Sequence, residues 1–237
     1  RILELEHLDP IGAEAGPGER GTAIHRAIER FGDGSDAEEL SRLLDEELRW
    51  HGISPERRAA DRERLLVSIS ALIAWFAERS ARGAVIYREE RGRMVVDGVN
   101  LTGVADRIEI GSDHVAILDF KSGAPPKDAQ VNSGLCPQLL LESAMLMAKA
   151  FDDVPRATPT ELIYWRFGGS APEPHTVDAD GGPALAAEKA LKALRGLLAR
   201  YAQPDQAFYS KPRVQFLKPY DEYDLLARRK EWADEKG

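Results

Sequence analysis

Two aspartates and a lysine stand where two predicted neighbouring strands bring them together. Asp106 lies in Thr102-Gly-Val-Ala-Asp-Arg-Ile-Glu109, and Asp119 and Lys121 lie in Ile117-Leu-Asp-Phe-Lys-Ser-Gly123. Carboxylates from adjacent strands suit a hard divalent cation, Mg²⁺ or Mn²⁺, because such ions take oxygen ligands and keep several waters. Such a cation polarises a phosphoryl oxygen and activates a water, while a flanking ammonium positions that water or neutralises developing charge. The spacing therefore indicates metal-dependent phosphodiester chemistry.

The alternation of side chains along a strand predicts which way these groups point. Successive side chains point to opposite faces, so Asp119 and Lys121 share one face at the end of an apolar strand. Asp106 is expected on the same face as Val104 and Ile108, within an apolar row. A lone Asp-x-Lys is most often an ion pair at a strand end, and that interpretation stays open. The second aspartate favours a site, because an unpaired buried carboxylate is costly.

Other polar residues have less specific spacing. In Gly21-Thr-Ala-Ile-His25 the first and last residues share one helix face, so Gly21 leaves room beside His25 for a backbone or a phosphate. His25 is a candidate metal ligand, or an ordinary helix histidine. Gln138, at the start of an apolar helix, is a candidate site residue or only a polar first-turn residue. One of Glu89 and Glu90 could face the site, with solvation as the alternative for both.

Periodicity and turn residues predict the framework that positions these groups. The predicted helices lie at 22–31, 37–50, from 54 through at least 76, 137–151, 183–201 and 222–232, and the predicted strands at 84–90, 93–96, 101–110, 115–120 and 160–167. Gly- and Pro-rich residues 10–20 are expected to be loop. The order predicts an α/β domain with a mixed sheet. We expect one domain over 1–237, with a helical N-terminal part (1–83), a catalytic sheet and helix (84–167) and C-terminal helices (168–237).

Composition limits the classes of protein. The chain has 237 residues, a net charge of −8 and 43% hydrophobic residues, which is ordinary for a globular protein with a core. Cys136 is the only cysteine, so the chain holds no internal disulfide and no four-cysteine zinc or iron–sulfur site, and a reducing, cytoplasmic compartment fits best. No apolar run is long enough to span a membrane, so no membrane partner is expected. No ATP-binding loop of the G-x-x-x-x-G-K-[ST] type occurs.

Taken together, the motifs resemble those of the RecB-type nucleases of the PD-(D/E)xK superfamily. They are, in order, G-x-x-x-H, G-x-x-D-R-I, D-x-K followed by Ser-Gly, and Gln-Leu on a helix, and they cover about residues 20–165. The turn Asp119-Phe-Lys-Ser-Gly-Ala-Pro-Pro126 and the tail Tyr223-Asp-Leu-Leu-Ala-Arg-Arg-Lys-Glu-Trp232 most resemble the C-terminal nuclease domain of bacterial AddB-type subunits of AddAB helicase–nucleases. The resemblance implies a restriction-endonuclease-like αβββαβ core with additional terminal helices.

The same resemblance implies roles for individual residues. His25, Asp106, Asp119 and the Phe120 carbonyl would bind Mg²⁺ or Mn²⁺, and both aspartates would be catalytic. Lys121 would be the catalytic lysine, and Gln138 a supporting catalytic-site residue. Two departures occur. Members often carry an aromatic residue four positions after the glutamine, where this chain has Glu142, and they often have Tyr and Thr where it has Phe120 and Ser122.

The implied activity is that of an exonuclease-type deoxyribonuclease acting on DNA, single strands above all, in bacterial double-strand-break repair and recombination. The implied partners are a helicase–nuclease subunit and the rest of a longer parent protein, which the first residue, Arg1, favours. The acid excess lies mainly in residues 1–80, and no basic surface is evident, so weak intrinsic DNA affinity is expected. Two alternatives remain: a catalytically idle nuclease fold that docks or guides DNA within a helicase complex, and a stand-alone exonuclease. Some related nucleases hold an iron–sulfur cluster through four cysteines, and none is expected here.

Overall fold

A computed structural model of the protein describes residues 15–168 and 172–207. Residues 14–197 form one compact unit, and residues 1–13 with 198–237 form another, of which 198–207 are described. The single domain expected over 1–237 stays a prediction. The elements are, in chain order, α1 (Pro17–Phe31), α2 (Ala37–Trp50), α3 (Pro55–Ser80), β1 (Val85–Val96), β2 (Val99–Ile110), β3 (Val115–Lys121), α4 (Asp128–Asn132), α5 (Gln138–Met147), β4 (Glu161–Arg166), β5 (Pro174–Thr176) and α6 (Pro183–Tyr201).

The strands form one mixed sheet in the order β1-β2-β3-β4-β5. The pairs β1–β2, β2–β3 and β4–β5 are antiparallel, whereas β3 and β4 are parallel and are joined through α4 and α5. A parallel pair needs such a crossover because the chain must return to the starting edge of the sheet. The predicted α/β class and the αβββαβ order are confirmed.

Two large apolar clusters cover the sheet, and a small third one comprises Ala116, Leu118 and Ile163. The first joins α1, α2 and α3 to three aromatic side chains from β3, β4 and the residue after β4, namely Phe120, Trp165 and Phe167. The second joins α5 and α6 to β2, β3 and β4, and includes Ile108 and Ile117. In the part of the chain that the structure describes, no helix is long and apolar enough to cross a membrane.

A buried ion network ties α3 to β2. The Arg79 guanidinium lies 2.6 Å from Glu109 Oε2, and the Arg107 guanidinium lies 2.7 Å from Glu109 Oε1. All three residues are at most 4% exposed. Arg107 also pairs with Asp33, which follows α1. Because each buried charge has an opposite partner, the network fixes helix positions relative to the strand that carries Asp106.

Local signals explain where the helices begin, and one of them corrects a prediction. The Ser54 hydroxyl accepts a hydrogen bond from the Arg57 amide, and Pro55 occupies the first helical position, as predicted. Helix α1 begins at Pro17 rather than near residue 22, so part of the predicted 10–20 loop is helical. Proline pre-sets the helical φ angle at this position, and the Glu19 side chain accepts the Gly16 amide at 2.8 Å.

Other boundaries differ from the predicted ones. The strands predicted at 84–90 and 93–96 are one strand, β1, paired along its length with β2. The helix predicted at 137–151 ends at Met147. The short elements α4 and β5 were not predicted, because three to five residues carry too little periodicity. The helix predicted at 222–232 lies outside the described residues.

Candidate active site

The site forms where β2 and β3 separate. Their pairing ends at Arg107↔Leu118, so the next residues in register would be Asp106 and Asp119. Instead of a backbone carbonyl of β2, the Asp106 carboxylate accepts the Phe120 amide, at 2.8 Å. The side chain of Asp106 thus takes the place of a ladder hydrogen bond and keeps both aspartates at the opening between the strands.

Asp119, Lys121 and Gln138 form a closed triangle of polar contacts. Lys121 Nζ lies 2.7 Å from Asp119 Oδ2 and donates to Gln138 Oε1 at 3.0 Å. Gln138 Nε2 donates to Asp119 Oδ1 at 2.5 Å. Asp119 is 2% exposed, and burial raises the pKa of its carboxyl, with Lys121 and the Gln138 hydrogen bond acting against that rise. The sequence prediction that Asp119 and Lys121 share a face agrees with these contacts, and Gln138 joins them from the first turn of α5.

Asp106 and His25 form a second pair, on the α1 side of the sheet. His25 Nδ1 lies 3.4 Å from Asp106 Oδ2. Burial, and then repulsion from Asp119, raise the pKa of Asp106 to about 6, against the opposing effects of His25 and the Phe120 amide. The space beside Gly21 is used by Ser122, whose Oγ would lie 2.9 Å from a Cβ at position 21. The missing side chain therefore lets α1 approach the turn that follows Lys121.

One prediction about β2 is wrong. Val104 and Asp106 line a cleft with α1 residues, whereas Ile108 packs in the cluster with α5, so they do not share a face. The alternation of side chains between the two faces of the sheet shifts by one residue at Asp106 on β2 and at Glu89 on β1. The β1–β2 register places Glu89 beside Asp106, since the neighbouring pairs are Arg88↔Arg107 and Glu90↔Ala105. Glu89 has a φ of 50°, a left-handed conformation that is unusual for a non-glycine residue.

Glu89 adds a carboxylate to the cleft beside Asp106. The cleft has a volume of about 630 Å³, and its lining includes Gly18, Gly21, Thr22, His25, Glu89 and Asp106. Burial, followed by repulsion from Asp106, raises the pKa of Glu89 to about 7. Glu89 is half-buried beside Asp106, which favours the alternative that one of the two glutamates faces the site. The strained φ angle is the feature that turns it inward, and no sequence pattern signals such an angle at a glutamate.

Sequence reasoning missed the role of Glu142, which it noted only as a departure from the family pattern. Glu142 is 4% exposed and lies one turn after Gln138 on α5. Its Oε1 accepts from Gln138 Nε2 at 3.1 Å, and its Oε2 has no hydrogen-bond partner among the described residues. Burial, followed by repulsion from Asp119, raises its pKa to about 8. The four-residue spacing from Gln138 was the available signal, because such residues share a helix face.

The predicted metal ligands lie close together but do not form a complete coordination site. Asp119 contacts Lys121 and Gln138, whereas Asp106 contacts His25 and the Phe120 amide. Within residues 15–168 and 172–207, no three His, Cys, Asp or Glu side chains are arranged to hold a metal ion. The Phe120 side chain is buried, and its ring lies 6.5 Å from that of His25, edge to face.

The donor chemistry nevertheless fits a hard divalent cation. Two buried carboxyl groups, on Asp119 and Glu142, and a largely buried one, on Asp106, lie around one lysine, and burial raises the pKa of each. The unpartnered Oε2 of Glu142 adds to this excess of buried acceptor atoms. Oxygen donors with one imidazole suit Mg²⁺ or Mn²⁺, and a bound cation would offset the repulsion among the carboxylates.

Comparisons with known proteins give the family. The profile of the PD-(D/E)XK nuclease superfamily matches residues 1–213. Among curated proteins, an uncharacterized protein of Rickettsia felis is 32% identical over 168 residues, which are 64% of this chain and 20% of that protein. The uncharacterized protein RC0550 of Rickettsia conorii is 30% identical over 167 residues, again 64% and 20% of the two chains. The chain thus spans about a fifth of the length of these relatives.

Among solved structures, the crystal structure of SSO0001 aligns with 79% of this chain and 77% of its own, at 14% identity and a TM-score of 0.28. That similarity is too distant to carry an argument. The family profile covers all of the described residues, including α1 and the whole sheet. The chain belongs to the PD-(D/E)XK nuclease superfamily.

Proposed function

We propose that this chain is a metal-dependent deoxyribonuclease domain that hydrolyses phosphodiester bonds through Asp106, Asp119 and Lys121. The observation that carries the proposal is the meeting of buried Asp119, largely buried Asp106 and a lysine where β2 and β3 separate. Lys121 is held by Asp119 and Gln138, at 2.7 and 3.0 Å, which fixes its partly exposed ammonium against a buried carboxylate. Membership of a nuclease superfamily supports this chemistry.

His25, Asp106, Asp119 and the Phe120 carbonyl would hold Mg²⁺ or Mn²⁺. When bound, the cation supplies a polarised phosphoryl oxygen and a water of lowered pKa. Lys121 positions the attacking water or neutralises the charge that develops on the phosphate. Gln138 keeps Lys121 in place, because its amide oxygen accepts from the ammonium while its amide nitrogen donates to Asp119.

The finer assignment, a RecB-type domain most similar to those of AddB-type subunits, is part of the proposal. It rests on the motifs around His25, Asp106, Lys121 and Gln138 and on their order in the chain. Under this assignment the substrate is a DNA single strand delivered by a helicase during cytoplasmic double-strand-break repair, and cleavage is of the exonuclease type. The helicase, the partner subunit and the activity of any longer protein are likewise proposals, since the chain spans about a fifth of its curated relatives.

Cleavage of end-labelled single-stranded and blunt duplex DNA of equal length, with Mg²⁺ or Mn²⁺, tests the proposal. We expect metal-dependent cleavage with a preference for single strands, abolished in Asp119→Ala and in Lys121→Ala. Asp178→Ala and Lys192→Ala, both at exposed positions, are the matched controls and should cleave like the parent. Circular dichroism checks that each variant is folded.

Two results would count against the proposal. Parental cleavage by either site variant would refute the residue assignment. Equal cleavage of blunt duplex would refute delivery as single strands. The idle-module alternative makes a different prediction, since an idle fold has no reason to bind Mn²⁺. Calorimetric titration with Mn²⁺ should therefore give heat with the parent and none with Asp119→Ala.

A further inference from the structure

Gln138 holds Lys121 only when its side-chain amide points in one direction. The amide oxygen must face Lys121, which can only donate, and the amide nitrogen must face acceptors. In the structure Gln138 Oε1 accepts from Lys121 Nζ at 3.0 Å. A reversed amide would place two sets of N–H groups against each other and release the lysine.

Two carboxyl groups take the two hydrogens of that amide nitrogen. Asp119 Oδ1 accepts at 2.5 Å from one side, and Glu142 Oε1 accepts at 3.1 Å from the next turn of α5. Asp119 also contacts Lys121 itself, so it has competing roles. The Glu142 side chain makes no hydrogen bond to any other described residue, and its second oxygen is buried without a partner. Its placement is therefore explained by the amide of Gln138.

We propose that Glu142 is a positioning residue that fixes the amide orientation of Gln138 and, through it, the place of Lys121. The inference deepens the proposed nuclease function and rests on it for its kinetic consequence. Burial of Glu142 is essential to the effect, because water cannot replace the acceptor at a site that is 4% exposed. If a glutamate at the same spacing were exposed, water could replace it as the hydrogen-bond acceptor at little cost.

The first test does not depend on activity. Competitive acetylation of lysines, read by peptide mass spectrometry in buffer containing a chelator, reports how firmly each amine is held. Glu142→Met keeps the side-chain length and removes the acceptor, so Lys121 labelling should rise about fivefold, the factor that one ordinary hydrogen bond represents. Glu142→Gln retains an amide oxygen that can accept, and should keep Lys121 labelling within about twofold of the parent.

The controls separate positioning from loosened structure. Exposed Lys127 and Lys149 are internal references for the reagent, and circular dichroism reports any general loosening of the fold. Ser143→Ala removes a neighbouring buried side chain whose hydroxyl donates to the Leu139 carbonyl at 2.6 Å, and it should leave Lys121 labelling unchanged. Glu142→Ala removes the same acceptor with a smaller side chain, and serves if the methionine variant does not fold.

The second test is kinetic. Glu142→Met should lower kcat for DNA cleavage about fivefold with KM unchanged, and the loss should exceed that in Glu142→Gln. Adding the substitution to Gln138→Ala should cause no further loss, because the amide it orients is already absent. Unchanged Lys121 labelling in Glu142→Met, or equal increases in the glutamine and methionine variants, would overturn the inference. Absence of cleavage by the parent would refute the proposed function and leave the labelling result to decide the role of Glu142.

Discussion

Replacing Glu142 with glutamine should stabilise the protein, by an amount that depends on pH. Burial raises the pKa of Glu142 from its ordinary 4.5 to about 8 in the folded chain. Between these values the unfolded chain has released a proton that the folded chain still holds, so stability falls as pH rises. The interval spans about 3.5 pH units, and at about 1.36 kcal/mol per unit the full penalty is about 5 kcal/mol.

Glutamine carries no titrating proton and therefore escapes this penalty. The difference in free energy of unfolding between Glu142→Gln and the parent should grow from its value at pH 4.5 by about 3 kcal/mol at pH 7 and about 5 kcal/mol above pH 8. Urea unfolding followed by circular dichroism, at pH 4.5, 7 and 8.5 in buffer with a chelator, measures this difference in free energy.

The pH dependence of the difference in free energy of unfolding tests whether Glu142 holds its proton in the folded chain. A difference that stays constant from pH 4.5 to 8.5 would refute the reasoning, since it would mean that Glu142 ionises equally in both states. Glu188→Gln, at an exposed position of α6, is the matched control for the chemistry of the substitution. A similar pH-dependent gain in that variant would assign the effect to net charge and not to burial.

Three further outcomes are expected. Gly21→Ala should lower the thermal unfolding midpoint relative to Gly18→Ala on the same helix, because a Cβ at position 21 meets Ser122 Oγ at 2.9 Å whereas one at position 18 meets nothing within 4 Å; equal midpoints would contradict this. Glu109→Gln should cost about 3 kcal/mol in urea unfolding, since it leaves two buried arginines without their shared partner; a cost like that of a surface ion pair would contradict it. Mg²⁺ at about 100 times its Kd should stabilise the fold by about 2.7 kcal/mol in calorimetric scans, and Asp106→Asn should remove most of that gain; an equal gain in the variant would place the cation elsewhere.

The side of the site built on β3 was predictable from the sequence. A regular strand keeps its period of two, so the spacing of Asp119 and Lys121 was enough to place them together. The α5 neighbour was also accessible, because a helix that follows a strand in a crossover packs back onto it. Gln138 begins that helix and therefore lies near the strand end.

The side built on β2 was not predictable in the same way. The change of phase at Asp106 depends on a left-handed residue in the partner strand, Glu89, which no local pattern marks. The register of the β1–β2 hairpin is the same on both sides of Glu89 and Asp106, so strand pairing does not indicate the shift either. The burial of Glu142 depends on how α5 packs over β3 and β4, which is a property of the whole core.

The residues of the candidate site come from both layers that cover the sheet, and this has a consequence for how the site is assembled. His25 reaches the site from α1, which is made early in synthesis, whereas Gln138 and Glu142 reach it from α5, which is made much later. A nascent or partly folded chain that has formed only the first layer has Lys121 without the amide that holds it. Under the proposed function, hydrolytic competence would therefore require both layers, and a chain that lacked the second would hold its metal ligands without a positioned Lys121.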